Sequence, residues 1–168
     1  MTAALIVLAT AGTARADEWS AYVAPAEACP GGTDPAATPS VQRKAITCLV
    51  NWARRRAGAH LLVPSRSLRK AAAVKGRKVI ECGRLTHSPC GSDPLAPLRA
   101  SGYPYASFGE NLLLGPRGQL TARQVVAAWL RSAPHRANML RAGFRDLGVA
   151  LVGEHVGALW VTTFASRR

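Results

Sequence analysis

Three stretches of the chain carry apolar residues at helical spacing, and two stretches near its end carry short runs of β-branched and aromatic residues. Ser40 caps the first helical stretch, in which Val41, Ala45, Cys48, Leu49 and Trp52 recur with the helical period until Gly58 stops it. The second opens near Ser67, carries Leu68, Ala72, Val79 and Cys82 on its inner side and ends at Gly83. Thr121 and Gln124 form a capping-box pattern that opens the third, with Val125, Val126, Trp129 and Leu130 facing inward. Pro134 interrupts it, because Ala133 is pushed out of helical geometry, and a short helix from His135 to Leu140 follows. Leu147 to Val152 and Ala158 to Phe164 read as two strands joined by the turn 153–157, and Asn111 to Leu114 as a shorter one closed by Gly115-Pro116. Between Leu85 and Gly109 the chain is punctuated by Ser88-Pro89, Gly91, Asp93-Pro94, Gly102 and Pro104, which predicts loops. Helices first, loops next and a terminal hairpin last argue an α+β domain with a small antiparallel sheet.

The two ends of the chain change the picture. Met1 to Ala9 is apolar but too short to span a bilayer, and Ala14-Arg15-Ala16 has the small-x-small pattern of a signal-peptidase site. Residues 1–16 therefore read as a secretion signal, although no Lys or Arg precedes the apolar run. Residues 17–39, with Pro25, Pro30, Pro35 and Pro39, read as an irregular arm, and 40–168 as one domain. No other stretch is apolar enough to cross a membrane. An exported chain with an even number of cysteines predicts disulfides. Cys29, Cys48, Cys82 and Cys90 allow three pairings, of which Cys82–Cys90 closes a short loop and Cys29–Cys48 staples the arm to the first helix.

A composition of 48% hydrophobic and 18% charged residues excludes a disordered chain. The net charge of +13 favours anionic partners such as wall polymers or acidic lipids. Nucleic acid is a poor fit. The clusters Arg54-Arg55-Arg56 and Lys75-Gly76-Arg77-Lys78 lack interleaved aromatics and read as a solvated basic face.

Chemistry points to three residues. His60 and His155 sit in turns, whereas His87 stands in Leu85-Thr86-His87-Ser88-Pro89 and His135 at a helix start, where the dipole disfavours the imidazolium. Glu110 lies between loop and strand. By pattern alone, satisfied core histidines and a buried structural glutamate explain these positions better than a site does.

The strings Cys48-Leu49-Val50-Asn51-Trp52-Ala53-Arg54, Leu85-Thr86-His87, Gly102-Tyr103, Gly109-Glu110-Asn111, Trp129-Leu130-Arg131-Ser132, His135-Arg136-Ala137-Asn138-Met139-Leu140 and Leu147-Gly148-Val149 occur in one order between Ser40 and Phe164. In that order they resemble the bacterial branch of the CAP superfamily, the SCP-type extracellular domain. The resemblance implies an α-β-α sandwich, with a small antiparallel β-sheet between helical layers. It also implies a cleft at His87, Glu110 and His135, with Asn111 in a structural role. Many animal and plant members carry a second glutamate where this chain has Ser132, so the acidic complement is reduced. Two histidines and one carboxylate still match a zinc site with water in the fourth position. No nucleophile stands out; Ser88 adjoins His87, but sequence neighbours seldom form a base–nucleophile pair.

Three functions follow. The first is a secreted, non-catalytic binding or accessory domain whose cleft takes a divalent metal or an envelope ligand, lipid or wall polymer. The second is a metal-assisted or acid–base hydrolase of peptide or cell-wall substrates, and the third a purely structural module. The Cys82–Cys90 bridge would restrict the loop that presents His87.

Overall fold

The computed structural model describes residues 19–153 and 157–168; the expected secretion signal and His155 lie outside them. Helix α1 (Pro39–Arg56) begins two residues earlier than the sequence suggests. Thr38, not Ser40, is its cap, accepting from the Val41 amide at 3.4 Å, and Pro39 takes the first position, where its missing N–H costs nothing. Val41 consequently points outward and is exposed. Helix α2 (Arg66–Glu81) is capped by Ser65, whose hydroxyl accepts from the Leu68 amide at 3.3 Å. Helix α4 (Ala122–Arg131) has the full capping box of Thr121 and Gln124, and α5 (Ala133–Leu140) starts with Pro134 in its first turn.

Two short elements carry too little pattern to read from sequence. They are β1 (Val63–Pro64) and α3 (Ala96–Ala100), the latter inside the stretch expected to be loop. Strand β2 (Tyr105–Pro116) is three times as long as the strand expected at Asn111–Leu114. Its central residues Glu110 and Asn111 are buried polar groups, so they break the apolar alternation that marks a strand. Strands β3 (Asp146–Val152) and β4 (Gly157–Arg167) form the expected antiparallel pair.

The sheet order is β1-β3-β4-β2. β4 lies antiparallel between β3 and β2, with Glu110 opposite Thr163 and Asn111 opposite Thr162. β1 runs parallel to β3, so the sheet is mixed rather than wholly antiparallel. Successive residues of β4 feed opposite layers, as the strand period requires. Ala158, Trp160 and Phe164 join the core made with α1, α4 and α5. Leu159 and Val161 pack with Ala72 and Val79 of α2, and Ala165 with Leu68 of α2 and Leu98 of α3. The result is the expected α-β-α sandwich.

Close approach fixes one glycine. A Cβ on Gly148 of β3 would stand 2.1 Å from the Arg69 amide nitrogen and from the Leu68 carbonyl carbon, so only glycine lets the first turn of α2 lie on the strand. Both disulfides are those anticipated, Cys29–Cys48 and Cys82–Cys90. The first holds the irregular arm, whose Ala24 and Cys29 are buried in the core against α1.

Candidate functional site

β2 is an edge strand, and neighbouring residues on it face opposite layers. Glu110 turns toward α2 and Asn111 toward α5, so the helical layers meet around the outer rim of this strand. On the α2 side lies an ammonium group that sequence reading assigned to the surface. Lys75 is 1% exposed. Its Nζ donates to the His87 carbonyl and to the Pro94 carbonyl (3.1 Å), and lies 3.5 Å from Glu110 Oε1. Two of the ammonium hydrogens thus meet carbonyl acceptors, and Glu110 sets a carboxylate beside the ammonium. The basic cluster at residues 75–78 is therefore not a uniformly solvated face.

The same carboxylate oxygen holds His87, with Nδ1 at 2.8 Å from Glu110 Oε1. A carboxylate accepting at Nδ1 fixes the hydrogen there and leaves the Nε2 lone pair free. About half of the His87 side chain is exposed, so that lone pair is presented outward. Lys75 grips the His87 main chain while Glu110 grips its ring. The Cys82–Cys90 disulfide closes the same loop from below.

His135 arrives from the other layer. Asn111, fully buried, donates from Nδ2 to the His135 carbonyl at 3.0 Å. Asn138 donates to Asn111 Oδ1 at 3.0 Å and to the Glu110 carbonyl at 3.1 Å. These amides clamp α5 onto β2, and Gly109 leaves room for the clamp, since a Cβ there would stand 2.7 Å from Asn138 Oδ1. Glu110 does not sit between two imidazoles with a bond to each. It bonds His87, while the half-buried His135 ring makes no hydrogen bond among the described residues. Ser132 is the N-cap residue of α5, its side chain making no capping bond.

Burial, and then the charge of His87, hold His135 below the ordinary imidazole value of 6.5. The unfolded chain takes up this proton first. The His135 contribution to stability is therefore intact above the unfolded value, falls as pH drops through it, and stops falling below the depressed folded value. We expect NMR titration to give His135 a midpoint under 6.5 that moves upward in His87→Gln, where the repulsion is gone. A midpoint insensitive to that change would show that the rings do not face each other.

Among the described residues, no group of three or more His, Cys, Asp or Glu side chains is arranged to hold a metal ion. Glu110 Oε1 already serves a lysine and a histidine. Nor does any Ser, Thr or Cys side chain of the described residues hydrogen-bond either imidazole. Ser88 is exposed at the loop surface, and all four cysteines are oxidised. The arrangement can accept hydrogen bonds from a ligand at two neighbouring imidazoles. Sequence reading missed Lys75 and Asn138, although Lys75 falls on the same helical stripe as Leu68, Ala72 and Val79.

Among the described residues, no helix is long and apolar enough to cross a membrane. The family model for CAP, the cysteine-rich secretory protein family, matches residues 48–164. The uncharacterised protein YkwD of Bacillus subtilis is 32% identical over 161 residues, which cover 94% of this chain and 61% of that protein, so the chain spans less than two thirds of its relative. An outer surface protein of Borrelia burgdorferi superposes with a TM-score of 0.70 at 19% identity, covering 79% of this chain and 97% of that one. An extracellular SCP-domain protein of Bacillus anthracis gives 0.67 at 20% identity, covering 79% of this chain and 44% of that one. These neighbours, an outer-surface and an extracellular protein, share the fold, and the family match runs from Cys48 in α1 through the edge-strand site to Phe164. By that match the chain belongs to the CAP family.

Proposed function

We propose that this chain is an exported binding domain that holds a polar ligand of the cell envelope between His87 and His135. The observation that supports this reading is the Lys75–Glu110–His87 chain. It balances the carboxylate with a cation from the protein itself and commits Nδ1 of His87, leaving imidazole acceptors but no activated nucleophile beside them. A ligand rich in hydroxyl or amide donors, as wall glycans and peptides are, suits two imidazole acceptors. Export fits the disulfides, which are stable in oxidising compartments. The test is cosedimentation with isolated wall sacculi. His87→Ala/His135→Ala should bind at least about tenfold more weakly than the parent, the loss of two hydrogen bonds. Equal cosedimentation would remove the cleft from the function.

A second reading, hydrolysis by acid–base chemistry, is favoured by one feature. His87 paired to Glu110, with His135 held neutral nearby, has the composition of a base and its orienting carboxylate. Release of wall fragments by the parent and its loss in His135→Ala would place this reading first. Zinc titration by calorimetry on the same proteins addresses the metal. A heat that disappears in His87→Ala/His135→Ala would assign a cation to the two imidazoles.

A further inference from the structure

The opposite edge of the sheet holds a concave site. β1 stops at Pro64, and a groove of about 400 Å³ opens there between α1 and α2, over Leu147, Gly148 and Val149 of β3. Its α1 wall is Arg43, Lys44 and Thr47, and its α2 wall is the first turn, with Arg66 and Arg69. Four cationic side chains line it and no acid does. The described acids that pair with cations do so elsewhere, Asp93 with Arg99, Asp146 with Arg167 and Glu110 with Lys75.

A protein that gains nothing from such a cluster ordinarily scatters its charges. Here the cluster is built in. Arg43 is half-buried, and burial together with the charge of Arg69 pushes its guanidinium below the ordinary arginine value. Gly148 is the reason the cations meet, because it lets the first turn of α2 press against β3 and brings Arg69 over toward α1. The same turn contributes the positive end of a sixteen-residue helix. The floor, by contrast, is apolar and buried, so an anion in the groove would be partly shielded from water and from screening salt.

We propose that this groove is a phosphate-binding site, in which Arg43 and Arg69 grip one phosphoryl group and Lys44 and Arg66 add charge from the rim. Guanidinium pairs match the tetrahedral oxygens of a phosphate by paired N–H···O bonds, and an anionic phosphoryl group relieves a cluster of four positive charges. The site stands apart from the His87–His135 cleft, which lies at the other edge of the sheet, and does not depend on what that cleft binds. The phosphoryl group has two natural sources at a cell envelope, a soluble phosphodiester polymer or a phospholipid headgroup.

Calorimetric titration of the full chain with inorganic phosphate and with glycerol phosphate, at low ionic strength, tests the proposal. The parent should bind saturably. Arg43→Ala/Arg69→Ala should bind at least about tenfold more weakly, whereas the charge-matched control Arg55→Ala/Arg77→Ala should stay within about twofold. The melting temperature of Arg43→Ala/Arg69→Ala should hold or rise, since a repulsion is removed, and the single variant Arg69→Gln should lose affinity with the fold intact. Absence of saturable phosphate binding by the parent, or equal weakening in the control, would overturn the site. Vesicles of phosphatidylglycerol in phosphatidylcholine then identify the source. Binding lost in Arg43→Ala/Arg69→Ala supports a headgroup, and binding unchanged alongside lost glycerol phosphate affinity supports the soluble polymer.

Discussion

Lys75→Met should lower the unfolding free energy by about 3 kcal/mol at neutral pH, because it leaves the Glu110 carboxylate buried without its cation. Methionine nearly fills the volume, so the loss reports charge and hydrogen bonding more than a cavity. Two carbonyls, those of His87 and Pro94, also lose their donor. The two contributions separate in a double-mutant cycle. Lys75→Met/Glu110→Gln removes the stranded charge but not the orphaned carbonyls, and should recover at least about 1 kcal/mol relative to Lys75→Met alone. The site should respond as well. His87 loses its main-chain anchor, so its ring signal should broaden while that of His135 changes less. Urea titrations showing additive losses would mean that Lys75 and Glu110 do not act on each other.

That lysine also shows where sequence reading stopped and why. Long amphipathic elements were legible, because burial of one face imposes a period. The capping box at Thr121 and the terminal strands stand where the pattern puts them, whereas the break between α4 and α5 falls at Ser132, one residue before the expected Ala133. β1 and α3 were not, since two and five residues cannot display a period. β2 was cut short for a reason tied to the site. Glu110 and Asn111 are placed inside to meet Lys75, His87 and α5, which reverses the polarity a half-buried strand presents. The basic clusters failed in the same way. Lys75 and Arg54 were assigned to solvent by residue type, yet each lies in register with the apolar stripe of its helix, Lys75 with Ala72 and Val79, Arg54 with Val50. Position outranked residue type in both. The histidines were visible as a pair only through resemblance, because residues 87 and 135 are linked through Glu110 and Asn111 of β2, which no local pattern connects.

Arg54→Ala should cost about 4 kcal/mol, the largest single loss expected on this surface-rich basic chain. Arg54 is fully buried and has no carboxylate partner among the described residues. Its Nε donates to the His60 carbonyl at 2.6 Å, Nη1 to the carbonyls of Met139 (2.7 Å) and Arg141 (3.1 Å), and Nη2 to that of Phe144 at 3.2 Å. Met139 and Arg141 stand at the end of α5, so the guanidinium of α1 caps the C-terminus of the helix that carries His135, where a cation also meets the negative end of the dipole. Burial, with some repulsion from Arg145, pushes Arg54 down to about 10, which leaves it charged at neutral pH. Alanine would leave four carbonyls without this donor and a cavity beneath them. Lysine keeps the charge but cannot reach carbonyls in several directions from one planar fork, so Arg54→Lys should restore less than about half of the loss. Because the cap sits one turn beyond Asn138, α5 should fray, and the His135 titration midpoint should move toward its ordinary value as the ring regains water. Chemical denaturation giving a loss below about 1 kcal/mol, or full rescue by lysine, would show that these carbonyls find other donors and that α5 is held to the sheet by Asn111 and Asn138 alone.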